Sequence, residues 1–314
     1  MRELVAVKRV DFSPGRSSRD HLLKLRILEA RGRATARALS GHFAWPTIAL
    51  FLGILAGVGT VAALAIAGYL PYWGAIAINA FLIYLIFTPL HEAVHENIAG
   101  KNSRLVWLQG LIGHISGFVL LAPYPGFKAL HLHHHQHTND PVEDPDYWVK
   151  SDNYFIVILR CMAIQPVYII HLYKIARDPV MMRAFIWEMV YVASYIPVIA
   201  AAYWLGFGNE LMLLWVLPAY IGVVMCPLMF DWPVHHPHTE QGRFTDSAVL
   251  LFPQPIKFAM DVLFCGHAYH LMHHLYPRIP FYDYGTAYYA LERELKAVGA
   301  PLRDFSRGWH MRRA

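Results

Sequence analysis

Four apolar runs, roughly 45–70, 72–90, 185–207 and 211–230, constrain this chain more than any other feature. Each is close to the ~20 residues a helix needs to cross about 30 Å of hydrocarbon. The joints between them, Pro71 and residues 206–210, are too short for anything but tight hairpins. The pattern therefore predicts two transmembrane hairpins. Composition agrees: only 16% of residues are charged, against about a quarter in an ordinary soluble domain. Much of the surface should face lipid. Glu188, near the start of the third run, either reaches the headgroups or packs inward.

Two further stretches are weaker. Residues 105–121 are interrupted by Gln109 and His114, and residues 154–173 contain Arg160, Gln165 and His171. Ionisable groups are rare inside spans. These stretches therefore read as helices in the interface or beside the bundle, two more full spans being the alternative.

Charge sets the topology. All 27 Lys and Arg residues fall in 2–37, 101–183 or 243–313, and none in either hairpin. The positive-inside rule puts all three basic regions, and both termini, in the cytoplasm. The net charge of +5 and the basic N-terminal run then reflect topology and contact with anionic lipid, not nucleic acid. The N-terminal twenty residues have no apolar h-region, so no cleavable signal peptide is expected. Cys161, Cys226 and Cys265 form no CxxC pair, are odd in number and cannot supply the four thiolates of a typical iron–sulfur cluster.

The chain has 19 histidines, and their grouping is more informative than their number. His91 and His95 follow the second run, and His235, His236 and His238 follow the fourth. His131, His133, His134, His135 and His137 form one cytoplasmic group; His267, His270, His273 and His274 form another. Four separated segments thus bring imidazoles to one membrane face. His91 and His95 are one helical turn apart, and both HxxHH patterns, 131–135 and 270–274, converge on one side of a helix. Neutral imidazole suits iron, zinc, copper and nickel. Eight or nine such ligands are too many for one tetrahedral zinc and fit two metals of higher coordination number. Isolated histidines such as His42, His114 and His171 read as hydrogen-bonded polar residues.

A competing pattern is HEAVH at 91–95, which reads as HExxH and resembles intramembrane zinc metalloproteases. No Asp-Gly pair follows it anywhere in the chain, and a protease leaves both HxxHH groups unexplained.

HEAVH, HLHHH and HLMHH, in this order around two hairpins, resemble the three histidine boxes of the membrane fatty acid desaturase and hydroxylase superfamily. The resemblance covers roughly 45–290. It implies an all-α integral membrane protein with four transmembrane helices, interfacial helices and a cytoplasmic histidine-rich cap. A basic segment (1–44) would precede the catalytic domain (45–290), and a tail (291–314) would follow. The implied metal ligands are His91, His95, His131, His134, His135, His270, His273 and His274. A ninth is expected within Asp231-Trp-Pro-Val-His235-His236-Pro-His238, where His235 is favoured over His236 and His238. His133, His137 and His267 occupy places the boxes do not require.

The resemblance implies two Fe²⁺ ions, with O₂ as co-substrate and zinc as an artefact of purification. It implies oxidation of an unactivated C–H bond of a bilayer lipid, by desaturation or hydroxylation, at the cytoplasmic face of a bacterial inner membrane. The first box, HxxxH, and the segments HHPHTEQGRF and YHLMHHLYPRIPFYDY lie nearer bacterial desaturase-like proteins and carotenoid ring hydroxylases than acyl-CoA desaturases. A fatty acyl chain is the expected substrate, a carotenoid ring the alternative. Glu92, Asp140, Asp144 and Asp146 are candidates for orienting imidazole N–H groups, the last three alternatively forming a solvated acidic turn. No flavin, haem or iron–sulfur motif is evident, so electrons would come from a separate ferredoxin, rubredoxin or cytochrome with its reductase.

Overall fold

A computed structural model describes residues 19–307. The basic positions 2–18 and the end of the tail, 308–314, lie outside the described residues. The contacts divide the described residues into two units, one of residues 43–132 and 153–229, the other of 19–42, 133–152 and 230–307.

The first unit holds the apolar runs as far as residue 229, the last turns of the fourth span belonging to the second. Helix α2 spans Trp45–Ile66. Helices α3 (Tyr72–Leu85) and α4 (Phe87–Val94) follow as one 23-residue span. Helix α9 runs Pro179–Trp204. The fourth span, Gly208–His235, is built from α10 (Gly208–Leu211), a π-helical turn, α11 (Leu217–Cys226), a second π turn and α12 (Trp232–His235). The lengths of 22 to 28 residues correspond to about 33–42 Å at 1.5 Å per residue. The third span starts earlier than residue 185 because Asp178 caps it, accepting the backbone N–H groups of Val180 and Met181, with Pro179 in the first turn. The outer faces are apolar: Ile196 is 69% exposed and Leu52 57%. That is the surface a bilayer covers.

The second and fourth spans pack closely. A Cβ on Gly222 of α11 would lie 3.0 Å from the backbone nitrogen of Tyr84 and 3.2 Å from the Ala80 carbonyl, the small-residue contact by which membrane helices approach. A polar contact supports the π turn. Pro218 lacks the N–H that would reach the Leu214 carbonyl four residues back. Asn79 of α3 donates its side-chain N–H to that carbonyl instead, at 2.8 Å.

The two weaker stretches are bent pairs. Helices α5 (Trp107–Val119) and α6 (Tyr124–His137) meet at 99°, and α7 (Tyr154–Cys161) and α8 (Ile164–Ile175) at 70°. The first bend needs Gly117, where a Cβ would meet the Ala122 carbonyl at 2.6 Å. Its exposed carbonyls find side-chain donors: Trp215 Nε1 to Val119 at 3.0 Å and Gln165 Nε2 to Leu121 at 2.6 Å. Non-helical backbone at membrane depth requires such partners. Glu188 packs inward, buried against Gly126 and Leu172.

The second unit contains α1 (Arg19–Leu39), the end of α6, the acidic turn, α12, α13 (Gln254–Phe264), α14 (His270–Leu275) and α15 (Tyr284–Val298). Strands β1 (Val249–Leu251) and β2 (Leu302–Asp304) form a short parallel pair, the only sheet among the described residues. The core joins Leu28 of α1, Leu271 and Leu275 of α14, and Tyr284, Tyr288, Leu291 and Leu295 of α15. Helix α15 thus runs through the 290/291 boundary expected from the sequence.

Candidate metal centre

Within the histidine-rich unit, α6, α12 and α14 bring together His134, His235, His270 and His274, whose ligand atoms all lie within 4.8 Å of one another. His134 donates Nδ1–H to Asp144 Oδ1 at 2.8 Å, with Asp146 Oδ2 at 3.4 Å. This engages Nδ1 and leaves ligation to Nε2. Burial opposes charge on this ring, but the Asp144 carboxylate outweighs it and lifts the imidazole to about 10. A field that favours a proton there equally favours a bound cation.

The turn that supplies Asp144 is built by its own residues. Asn139 adopts a left-handed conformation (φ +63°). Its backbone N–H reaches Asp144 Oδ2 at 2.6 Å, and its side chain donates to the Glu240 and Asp246 carbonyls. Asp140 instead caps the turn, accepting from the backbone of Val142 and Glu143. The acidic segment therefore divides: Asp140 makes the turn, while Asp144 and Asp146 orient an imidazole.

His235 donates Nδ1–H to the Asp246 carbonyl at 2.8 Å. Its Nε2 is buried with no hydrogen-bond partner, facing the rings of His134, His270 and His274 at 4.8–5.0 Å. Burial pushes His270 and His274 well below the usual imidazole range, helped by the neighbouring rings. Both shifts favour the neutral ring, the form that binds metal. Of the three alternatives, His235 joins this group. His236 lies 3.8 Å from Asp152, and His238 is buried 6.2 Å, ring to ring, from His235.

His135 and His273 bring their Nε2 atoms to 2.8 Å, and the buried Tyr284 hydroxyl pairs with His273 Nδ1 at 3.0 Å. His267 is fully buried against Phe230, and burial pushes it down to about 3. His133 and His137 pack together at 4.2 Å, with Glu143 3.5 Å from His133.

The other unit carries His91, His95 and His131. Their ring centroids are 4.7–5.0 Å apart, and the Nε2 atoms of His95 and His131 approach to 2.9 Å. Phe87 stacks on His91 and Phe127 on His131. Tyr124 ties the α5–α6 bend to α4 by donating to the Ala93 carbonyl at 3.1 Å. Glu92 is buried and accepts from Asn97 Nδ2 at 3.3 Å; its carboxylate is 4.0 Å from His91 Nδ1.

These donor sets fit transition-metal ions. Three pairs of Nε2 atoms lie 2.8–3.0 Å apart, where bare lone pairs repel. Two nitrogens bound at right angles to one ion at about 2.0–2.1 Å would stand about 2.9 Å apart. Tyr284 and the Asp246 carbonyl, which hold two of the rings, carry no local sequence signal: one lies ten residues beyond the last box, and the other is a backbone atom.

The profile of the fatty acid desaturase family matches residues 67–306. An sn-1 oleoyl-lipid 12-desaturase of Picosynechococcus is 24% identical over 303 aligned residues, covering 86% of this chain and 82% of that protein. An sn-1 oleoyl-lipid 12-desaturase of Synechocystis is 31% identical over 33% of this chain and 28% of its own length. An sn-1 acyl-lipid omega-3 desaturase (ferredoxin) of Nostoc is 27% identical over 29% of this chain and 25% of its own.

Proposed function

Because the chain belongs to the fatty acid desaturase family, we propose that it introduces a double bond into an acyl chain carried on a membrane glycerolipid. O₂ is the oxidant, and two irons are held by His91, His95, His131, His134, His135, His235, His270, His273 and His274. The observation that carries this reading is the gathering of these imidazoles into buried and half-buried groups, in which three pairs of nitrogens stand 2.8–3.0 Å apart. The extended likeness to an acyl-lipid desaturase supports the substrate class. Bound iron would supply the reduction of O₂ and the removal of hydrogen from an unactivated C–H bond.

The chain's own groups do the rest. Asp144, with Asp146, orients His134; the Asp246 carbonyl fixes the tautomer of His235; Tyr284 holds His273. Burial keeps water from the donor nitrogens. The engagement of Glu92 with Asn97 speaks against its use as a protease base. We place the site and both termini on the cytoplasmic side of a bacterial inner membrane. A ferredoxin-type donor, as in the name of the Nostoc relative, is assigned as the electron source, ahead of a rubredoxin or cytochrome.

The test is expression in a bacterium supplied with monounsaturated lipid, β-carotene and a ferredoxin with its reductase. Mass spectrometry of the extracted glycerolipids should show acyl chains lighter by two hydrogens. A hydroxylated acyl chain, or hydroxylated carotenoid with unchanged fatty acids, would overturn the assignment.

A further inference from the structure

Helix α1 has two opposed apolar faces. At about 100° per residue, Leu28, Gly32 and Leu39 fall on one side. Leu28 and Gly32 are buried and Leu39 packs against the core; Gly32 leaves room for the Tyr276 hydroxyl. On the other side Leu23, Ile27, Ala30 and Ala34 share an arc of roughly 60°. All four are exposed, Leu23 by 56% and Ile27 by 43%.

Cations border that stripe on both flanks. Arg19, Arg26, Arg33 and Arg37 project on one edge, Lys24 and Arg31 on the other, against Asp20 and Glu29 on the whole helix. Arg31 pairs with Glu294 and donates to the Ala290 carbonyl, and Arg33 lies 3.3 Å from Glu29. No protein group among the described ion pairs engages Lys24, Arg26 or Arg37. The first span begins six residues after α1 ends, through the exposed aromatics Phe43 and Trp45, residue types that collect at membrane interfaces.

We infer that α1 lies on an anionic bilayer surface. The stripe Leu23–Ile27–Ala30–Ala34 enters the interfacial zone, and Lys24, Arg26 and Arg37 contact lipid phosphates. An apolar stripe flanked by long cationic side chains is the arrangement that binds such a surface. A soluble protein partner would have to meet apolar and cationic strips in this same order, whereas a bilayer presents acyl chain and phosphate at the required depths. The inference is independent of the reaction proposed above.

Amide exchange of residues 20–39 tests it, using the full chain at one copy per nanodisc. Exchange should be severalfold slower in phosphatidylglycerol discs than in phosphatidylcholine discs, and the difference should shrink as salt screens the contact. The triple substitution Lys24→Glu, Arg26→Glu, Arg37→Glu should abolish it, as should Leu23→Ser with Ile27→Ser, while exchange of the α15 core stays unchanged. Inorganic phosphate added to phosphatidylcholine discs should have no effect. Equal exchange in the two lipids would overturn the inference. So would protection by free phosphate, or protection seen only with two copies per disc.

Discussion

Asp144 shows how much one carboxylate decides. It accepts from His134 Nδ1 with one oxygen and from the Asn139 backbone with the other, so it fixes both the ring and the loop that carries it. Groups that orient metal-bound imidazoles typically contribute 10–100-fold in metal affinity. Asp144→Asn keeps the shape and loses the charge. We expect its metal affinity to fall by about that 10–100-fold factor, with Asp140→Asn near wild type because Asp140 only caps the turn. Metal content after dialysis against a graded chelator series checks this. Equal retention in the two variants would show that Asp144 does not orient a ligand.

At the scale of elements, the membrane helices are joined by groups that repair each other's backbone. Pro218 removes a donor from the fourth span, and Asn79 of the second span replaces it. Asn79→Leu leaves the Leu214 carbonyl buried in apolar surroundings, which should cost about 1–3 kcal/mol. A lowered thermal midpoint in detergent is the expected result. Asn79→Asp with its carboxyl protonated retains a donor and should lose less. If both variants melt with wild type, the carbonyl has found another partner and the contact is not what joins these spans.

At the scale of the whole molecule, Lys and Arg are unevenly distributed along the chain. Residues 38–100 and 184–242 contain no Lys or Arg, and Arg183 sits near the N-terminal end of the third span. With four spans the two termini share a side, and the proposal that this side is the cytoplasm rests on the positive-inside rule. A periplasm-active reporter fused after residue 205, in the second hairpin turn, should be active, and the same reporter at the C-terminus silent. An active C-terminal fusion would overturn the side assigned to the termini; if the fusion after residue 205 were active as well, the number of spans would be odd and one bent pair would have to cross.

The sequence by itself determined the spans, the hairpins and the histidine spacing, because these follow from local rules. An apolar run long enough to cross lipid must be helical, and i, i+3, i+4 positions must share a helix face. Span ends were less legible. The third begins at Pro179 because Asp178 caps it, and the fourth continues to His235 through two π turns. Only the tertiary structure decided which acidic residues serve the imidazoles. Asp140, Asp144 and Asp146 are equivalent as turn formers in sequence, and they separate only once Asn139 bends the chain toward the Asp246 carbonyl. It also decided that His235, not His236 or His238, joins the four-imidazole group. Three histidines within four residues point in different directions, and the direction that matters is set by partners 11 to 101 residues away in the chain.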